Sequence, residues 1–112
     1  EVDALVDDAG IALCSSCGGA VKPDVVLFGE MLSEGAMAGA RDLAERAELM
    51  ICVGSSLAVY PVAGLPQLTL ERGGRLAIVT AGETPYDEDA ELKLGGDVVE
   101  ELGAVLAALG SR

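Results

Sequence analysis

The sequence predicts an α/β fold, a parallel sheet with flanking helices, on three observations. Short β-branched apolar runs alternate with segments of helical period. Each run closes on glycine or a small polar residue, as at Gly29, Gly54 and Thr80. Hydrophobic residues make up 51% of the 112 but aromatic ones only 3%, so the core is built from Val, Leu, Ile and Ala, the composition of strands buried on both faces.

Residues 1–13 are mixed and acidic, and they lead into Cys14-Ser15-Ser16-Cys17-Gly18-Gly19, which reads as an irregular knuckle. After Pro23, Val25 to Phe28 has the length and β-branching of a buried strand, ended by Gly29. Ser33 is a suitable N-cap for a helix over 34–47, where Ala36, Met37, Ala40, Leu43, Ala44 and Ala47 share one face. Leu49 to Val53 is a continuous apolar run of strand length that feeds Gly54-Ser55-Ser56. Pro66 suits the first turn of a helix carrying Leu65, Leu68 and Leu70, and Gly73-Gly74 stops it.

Arg75 to Val79 is the next buried strand, and residues 91–94 form a last short one. Asp97 with Glu100 has capping-box spacing ahead of the apolar stripe Val98, Leu102, Val105, Leu106 and Leu109, with Gly110 at C′. This order is that of right-handed βαβ units. In such a sheet the ligand crevice lies at the carboxyl ends of the strands, which puts Gly54 to Ser56 and Thr80 to Gly82 on one edge.

Nineteen acidic residues against seven basic ones give a formal charge of -12, which repels phosphate backbones and anionic headgroups. Nucleic-acid and membrane partners are therefore disfavoured. Solubility is the simplest account of the charge, and attraction of basic substrates is the other. Without an apolar run of about eighteen residues, or a signal-peptide pattern at Glu1-Val2-Asp3, a soluble cytoplasmic protein is expected.

Cys14 and Cys17 have the spacing with which two thiolates reach one tetrahedral zinc, but a structural site needs four ligands and the chain has no histidine. Half of a zinc site, a redox pair and incidental use all remain open. Cys52, inside an apolar strand, is no third ligand. Gly54-Ser55-Ser56 offers N–H groups and hydroxyls to an anion or a ribose, yet a strand-ending loop with no ligand has the same residues, and no GxGxxG or Walker pattern occurs. Glu30 is either a general base or a solvated carboxylate, and no titratable partner lies near it in sequence. Asp87-Glu88-Asp89 reads as a solvated turn.

Taken in order, Cys-Ser-Ser-Cys-Gly-Gly at 14–19, Lys-Pro-Asp-Val-Val-Leu-Phe-Gly-Glu at 22–30, Val-Gly-Ser-Ser-Leu-Ala-Val-Tyr-Pro at 53–61 and Glu-Thr-Pro-Tyr-Asp at 83–87 closely resemble the sirtuins, NAD-dependent protein lysine deacylases. The resemblance implies a Rossmann-like sheet over 25–112 and, over 1–24, the remnant of a small zinc-ribbon domain. It implies that Cys14 and Cys17 are the second pair of a four-cysteine zinc site. NAD would meet Gly54, Ser55 and Ser56, the ribose loop Thr80, Ala81 and Gly82, and Asp97 and Val98 at the adenine. The acyl-lysine protein or peptide would be held by Val26, Phe28, Gly29 and Glu30, with Val59 on the opposite loop.

Thr80 stands where the family usually has asparagine, and its hydroxyl can still hydrogen-bond a ribose. The catalytic histidine, the first glycine-rich NAD loop and the first cysteine pair of the pattern all belong upstream of residue 1. Truncation accounts for the three together, with the missing amino-terminal half of the domain as the chain's partner. The chain alone is then expected to be inactive, and a sheet cut at its switch point to leave an apolar edge open. The competing reading is a complete non-catalytic module that binds a nucleotide or a peptide.

Overall fold

A computed structural model describes residues 5–23 and 25–111, which divide into two compact units, one ending at Leu32 and the other beginning at Ser33. In the first, β1 (Leu5–Val6) pairs antiparallel with β2 (Ala12–Leu13). Their connection is a side-chain-made turn. Asp7 accepts from the N–H groups of Ala9 and Ile11, both at 2.9 Å, and Gly10 takes a φ of +80° that a side chain would resist.

The strand predicted over Val25 to Phe28 does not form. A strand needs a partner ladder for its N–H and C=O groups, and no described residue supplies one; the segment instead ends in a turn in which Glu30 N–H donates to the Leu27 carbonyl at 3.0 Å. Phe28 is left 96% exposed.

The second unit contains α1 (Glu34–Arg46), β3 (Leu49–Val53), α2 (Leu65–Glu71), β4 (Arg75–Val79), β5 (Leu92–Leu94) and α3 (Val98–Gly110), with a short 3₁₀ turn at Val62–Gly64 before α2. The three strands form one parallel sheet in the order β3-β4-β5, in register from Leu49 opposite Arg75 to Val53 opposite Val79, and from Ala77 opposite Leu92 to Val79 opposite Leu94. The helix predicted over 34–47 is α1, and Ser33 caps it by accepting from the Ala36 N–H at 3.4 Å.

Central β4 is buried from Leu76 to Val79, and Leu76 and Ile78 are fully enclosed, each contributing about 1.5–3 kcal/mol of apolar burial. They pack with Leu57 and Tyr86, and Met50, Cys52, Leu70 and Ala90 press on that cluster. In contrast to the buried strand expected, β3 alternates. Met50 and Cys52 turn to the core, whereas Leu49, Ile51 and Val53, on the opposite face of the strand, stay exposed. The stripe on α3 is likewise open, with no residue of that helix buried.

Two contacts fix how the layers meet. Thr69 on α2 is completely buried and donates its hydroxyl to the Ala44 carbonyl at 2.7 Å, satisfying an acceptor in the last turn of α1 that lacks a full intrahelical partner. Gly74 passes so close to α1 that a Cβ there would lie 2.4 Å from the Ala47 carbonyl oxygen and 2.6 Å from the Thr69 Cγ2. The double glycine predicted to stop α2 is thus also required by packing.

The turn at 87–89 is not simply solvated. Asp87, 29% exposed, accepts from Lys93 Nζ at 2.7 Å, from the Thr84 hydroxyl at 2.6 Å and from the Thr84 N–H at 3.1 Å. Those partners, Lys93 first and then Thr84, hold its carboxyl at about 2. Glu88 and Asp89 are exposed as expected.

Thr69→Val keeps the shape and leaves the Ala44 carbonyl only the long 3.4 Å contact from the Ala47 N–H, so urea unfolding should show a loss of about 1–2 kcal/mol. A loss below about 0.5 kcal/mol, the level of an ordinary surface substitution, would contradict the capping role. Because the Asp87 pKa falls on folding from the ordinary value of about 3.9 to about 2, its stabilisation is complete above about pH 4 and disappears as pH falls through about 2. The Tm difference between the native protein and Asp87→Asn should narrow across that window and stay constant from pH 5 to 7.

Candidate functional site

The parallel register brings the three loops that follow the strands to one edge. The Gly54 N–H donates to the Val79 carbonyl at 2.9 Å, and the Thr80 N–H donates to the Leu94 carbonyl at 3.0 Å, so each loop leaves the sheet where its neighbour does. Gly54, Ser55 and Ser56 after β3, Thr80, Ala81 and Gly82 after β4, and Asp97 and Val98 after β5 therefore share the carboxyl-terminal edge, the place where open α/β sheets bind ligands.

Each loop is held by its own chemistry. Gly54 has φ +62° with nothing within 4 Å of where a Cβ would sit, so the backbone there is both left-handed and open to close approach. Ser55 turns its hydroxyl inward to accept from the Leu57 N–H at 3.2 Å, whereas Ser56 is exposed. Leu57 is a non-glycine residue at φ +51°, a conformation costing roughly 1–2 kcal/mol, and burial of its side chain in the core holds it there.

Thr80 is half-buried, and Ala81 and Gly82 are exposed. The Gly82 carbonyl accepts from Lys93 Nζ at 2.8 Å. At the third loop Asp97 accepts from the N–H groups of Val99 at 2.9 Å and Glu100 at 3.2 Å, capping α3 as predicted. The reciprocal bond comes from Glu101, not Glu100, which accepts from the Gly96 N–H at 3.0 Å. Val98 begins the helix half-buried.

The peptide-side residues fall in different units. Val26, Phe28, Gly29 and Glu30 lie in the first, all exposed, with Gly29 at φ +89°. Glu30 is committed to local structure, its carboxylate accepting from the Leu27 N–H at 3.0 Å. Val59 is exposed on the loop between β3 and α2, in the second unit.

At the knuckle, the Cys14 N–H donates to the Gly19 carbonyl and the Gly18 N–H to the Cys14 carbonyl, both at 2.8 Å. The N–H of Cys17, and after it that of Ser16, points at the Cys14 sulfur and holds that thiol below its ordinary value. Stabilising a thiolate in this way suits a metal ligand. Among the described residues no third cysteine, histidine or carboxylate joins the pair. Burial pushes the Cys52 thiol up, as expected for an inert core sulfur.

Sequence reasoning passed over Lys93, and it met Tyr86 and Asp87 only as part of the 83–87 motif and a solvated turn, without the contacts they make. Tyr86 is buried, and its hydroxyl donates to the Ala63 carbonyl at 2.7 Å, tying the β3–α2 connection to the β4–β5 connection. The one local signal was the Thr84-x-x-Asp87 spacing, in which side chains close a turn on the backbone.

Comparison with known proteins identifies the family. The Sir2 family model matches residues 1–61. An NAD-dependent protein deacetylase of Thermotoga maritima is 47% identical over 100 residues, covering 89% of this chain and 41% of that protein. NAD-dependent protein deacetylase 1 of Pyrobaculum aerophilum is 45% identical over 101 residues, covering 90% and 40%. A solved structure of Sir2 with a p53 peptide and NAD+ superposes with a TM-score of 0.79 at 45% identity, over 94% of this chain and 44% of that one. One of Sir2Tm bound to a propionylated peptide gives the same figures. The chain spans about two fifths of the length of the curated relatives it matches, and on the family match, the identities and the shared fold it belongs to the Sir2 family, the sirtuins.

Proposed function

We propose that this chain is the carboxyl-terminal part of an NAD-dependent protein lysine deacylase, and that it supplies one wall of the NAD site and part of the acyl-lysine site. The observation that carries the reading is the convergence of three loops, 54–56, 80–82 and 97–98, on the carboxyl edge of β3-β4-β5 in a chain of this family.

In this reading the open, left-handed backbone at Gly54 lets the nucleotide approach the strand end, and the exposed Ser56 hydroxyl offers it a hydrogen bond. The Thr80 hydroxyl, with Ala81 and Gly82, lines the ribose, and Asp97 and Val98 at the start of α3 border the adenine. Val26, Phe28, Gly29 and Glu30 take the substrate as an added extended strand, so affinity comes mainly from backbone hydrogen bonds and sequence preference is modest, and Val59 is likewise assigned to the substrate. NAD supplies the acceptor, the acyl group passing from lysine to ADP-ribose as nicotinamide is released. The base is a histidine outside this chain, which contains none.

Residues 1–24 are then the remnant of the small zinc-bearing domain, and Cys14 and Cys17 hold half of a structural zinc, with the Cys14 thiol held below its ordinary value by backbone N–H groups. The remaining two thiolates come from the missing amino-terminal part, which also covers the exposed Leu49, Ile51 and Val53 of β3. Among the described residues no helix is long and apolar enough to cross a membrane.

The full-length polypeptide should release one nicotinamide per acetyl-lysine peptide deacetylated, strictly with NAD, and the 112-residue chain should show no turnover. Gly54→Ala should lower kcat/KM by roughly 10- to 100-fold, combining left-handed strain with lost ligand space. Deacetylation without NAD, or an unaffected Gly54→Ala, would contradict the assignment. Metal analysis of the full-length protein should find about one bound zinc, as for a four-cysteine site, and Cys14→Ser should remove it; equal zinc in both would place the metal elsewhere.

A further inference from the structure

The loop proposed to line the ribose is pinned to β5 at both ends. Its first residue is fixed by the backbone, through the Thr80 N–H to the Leu94 carbonyl at 3.0 Å. Its last residue has a side-chain pin. Lys93, at the middle of β5 and opposite Ile78 in the sheet, reaches the Gly82 carbonyl at 2.8 Å and Asp87 Oδ1 at 2.7 Å. Neither partner of the ion pair is freely exposed, at 24% and 29% for the Lys93 and Asp87 side chains. Asp87 is itself held by the hydroxyl and N–H of Thr84, so the ammonium is aimed from a braced position.

We propose that Lys93 is a positioning residue for nucleotide binding: its ammonium, braced by Asp87, fixes the Gly82 carbonyl and so sets where Thr80, Ala81 and Gly82 stand relative to Gly54 to Ser56. The inference rests on the assignment of those loops to NAD made above. Its physical basis is preorganisation. An exposed three-residue loop held only at Thr80 samples several positions, and a ligand binding one of them must order the rest, whereas a loop held at both ends has met that cost on folding. The pin also neutralises Asp87, a carboxylate beside a loop that would face an anionic dinucleotide.

Among the described residues no other lysine or arginine shares this geometry. Arg75 and Glu91 pair at 3.6 Å near the opposite end of β4 and β5, both 61% exposed, and so provide a charge-matched control. The test is steady-state kinetics of the full-length polypeptide, with NAD and an acetyl-lysine peptide varied separately. Lys93→Met should raise KM for NAD about tenfold, the scale of one charge-assisted hydrogen bond, with kcat at saturating NAD and KM for the peptide within about twofold. Lys93→Arg, which keeps donors for both acceptors, should recover most of the NAD affinity, and Arg75→Met, which removes the same charge, should match the native protein.

The double variant Asp87→Asn with Lys93→Met separates position from charge. If position is the role, KM for NAD stays raised in it. Recovery of native KM there would overturn the positioning role in favour of simple charge repulsion. A Lys93→Met enzyme with native KM for NAD, or one in which both KM values and kcat worsen together and Lys93→Arg does not help, also overturns it while leaving the nucleotide assignment intact. Absence of NAD-dependent turnover in the native full-length protein would instead remove the assignment, and this inference with it.

Discussion

The interior of β4 is the constraint on which the second unit depends. Leu76 to Val79 are buried on both faces, so the strand must have neighbours on both edges and cover above and below. The crossover from β3 to β4 carries α2, and the one from β4 to β5 is a helix-free connection over residues 80–91 that is long enough to return the chain for parallel pairing. Parallel strands end at the same edge, and therefore so do the loops that follow them. Burial of a few aliphatic side chains thus decides where Gly54, Thr80 and Asp97 stand, although none of these is part of the core.

Around that constraint lies a second level of order made of polar contacts at the connections. Tyr86 donates to the Ala63 carbonyl and so joins the two longest connections of the unit. Lys93, Asp87 and Thr84 tie the end of the β4 loop back to the sheet. Leu57 is forced into a left-handed backbone immediately after the Gly54 to Ser56 loop by the burial of its side chain. These contacts trade local strain for fixed loop positions, which is the arrangement expected beside a ligand site.

Much of this was legible in the sequence, and the exceptions have physical causes. Helical period with Ser33 and Asp97 caps located α1 and α3 to within a residue, because capping chemistry is local. The 49–53 and 75–79 runs located β3 and β4, and their order placed the two glycine- and hydroxyl-bearing loops together. The 25–28 run failed as a strand because apolar β-branching signals a wish for a partner, and the partner is not in the described chain. Asp87 was read as solvated because its partner Lys93 is six residues away across a turn, and only the fold brings them within 2.7 Å. Motif order carried the family assignment where single motifs could not: a CxxC or a Gly-Ser-Ser loop alone has several readings, and four in sequence have one.

The central claim is that NAD lies along the carboxyl edge of β3-β4-β5. It is tested most directly by titrating the isotope-labelled full-length polypeptide with ADP-ribose and following the backbone amides by NMR. The account predicts saturable shifts concentrated at Gly54 to Ser56, Thr80 to Gly82 and Asp97 to Val98, with the opposite edge near Glu48 and Arg75 unmoved. Shifts centred on that opposite edge, or saturable binding that leaves all three loops unperturbed, would contradict it.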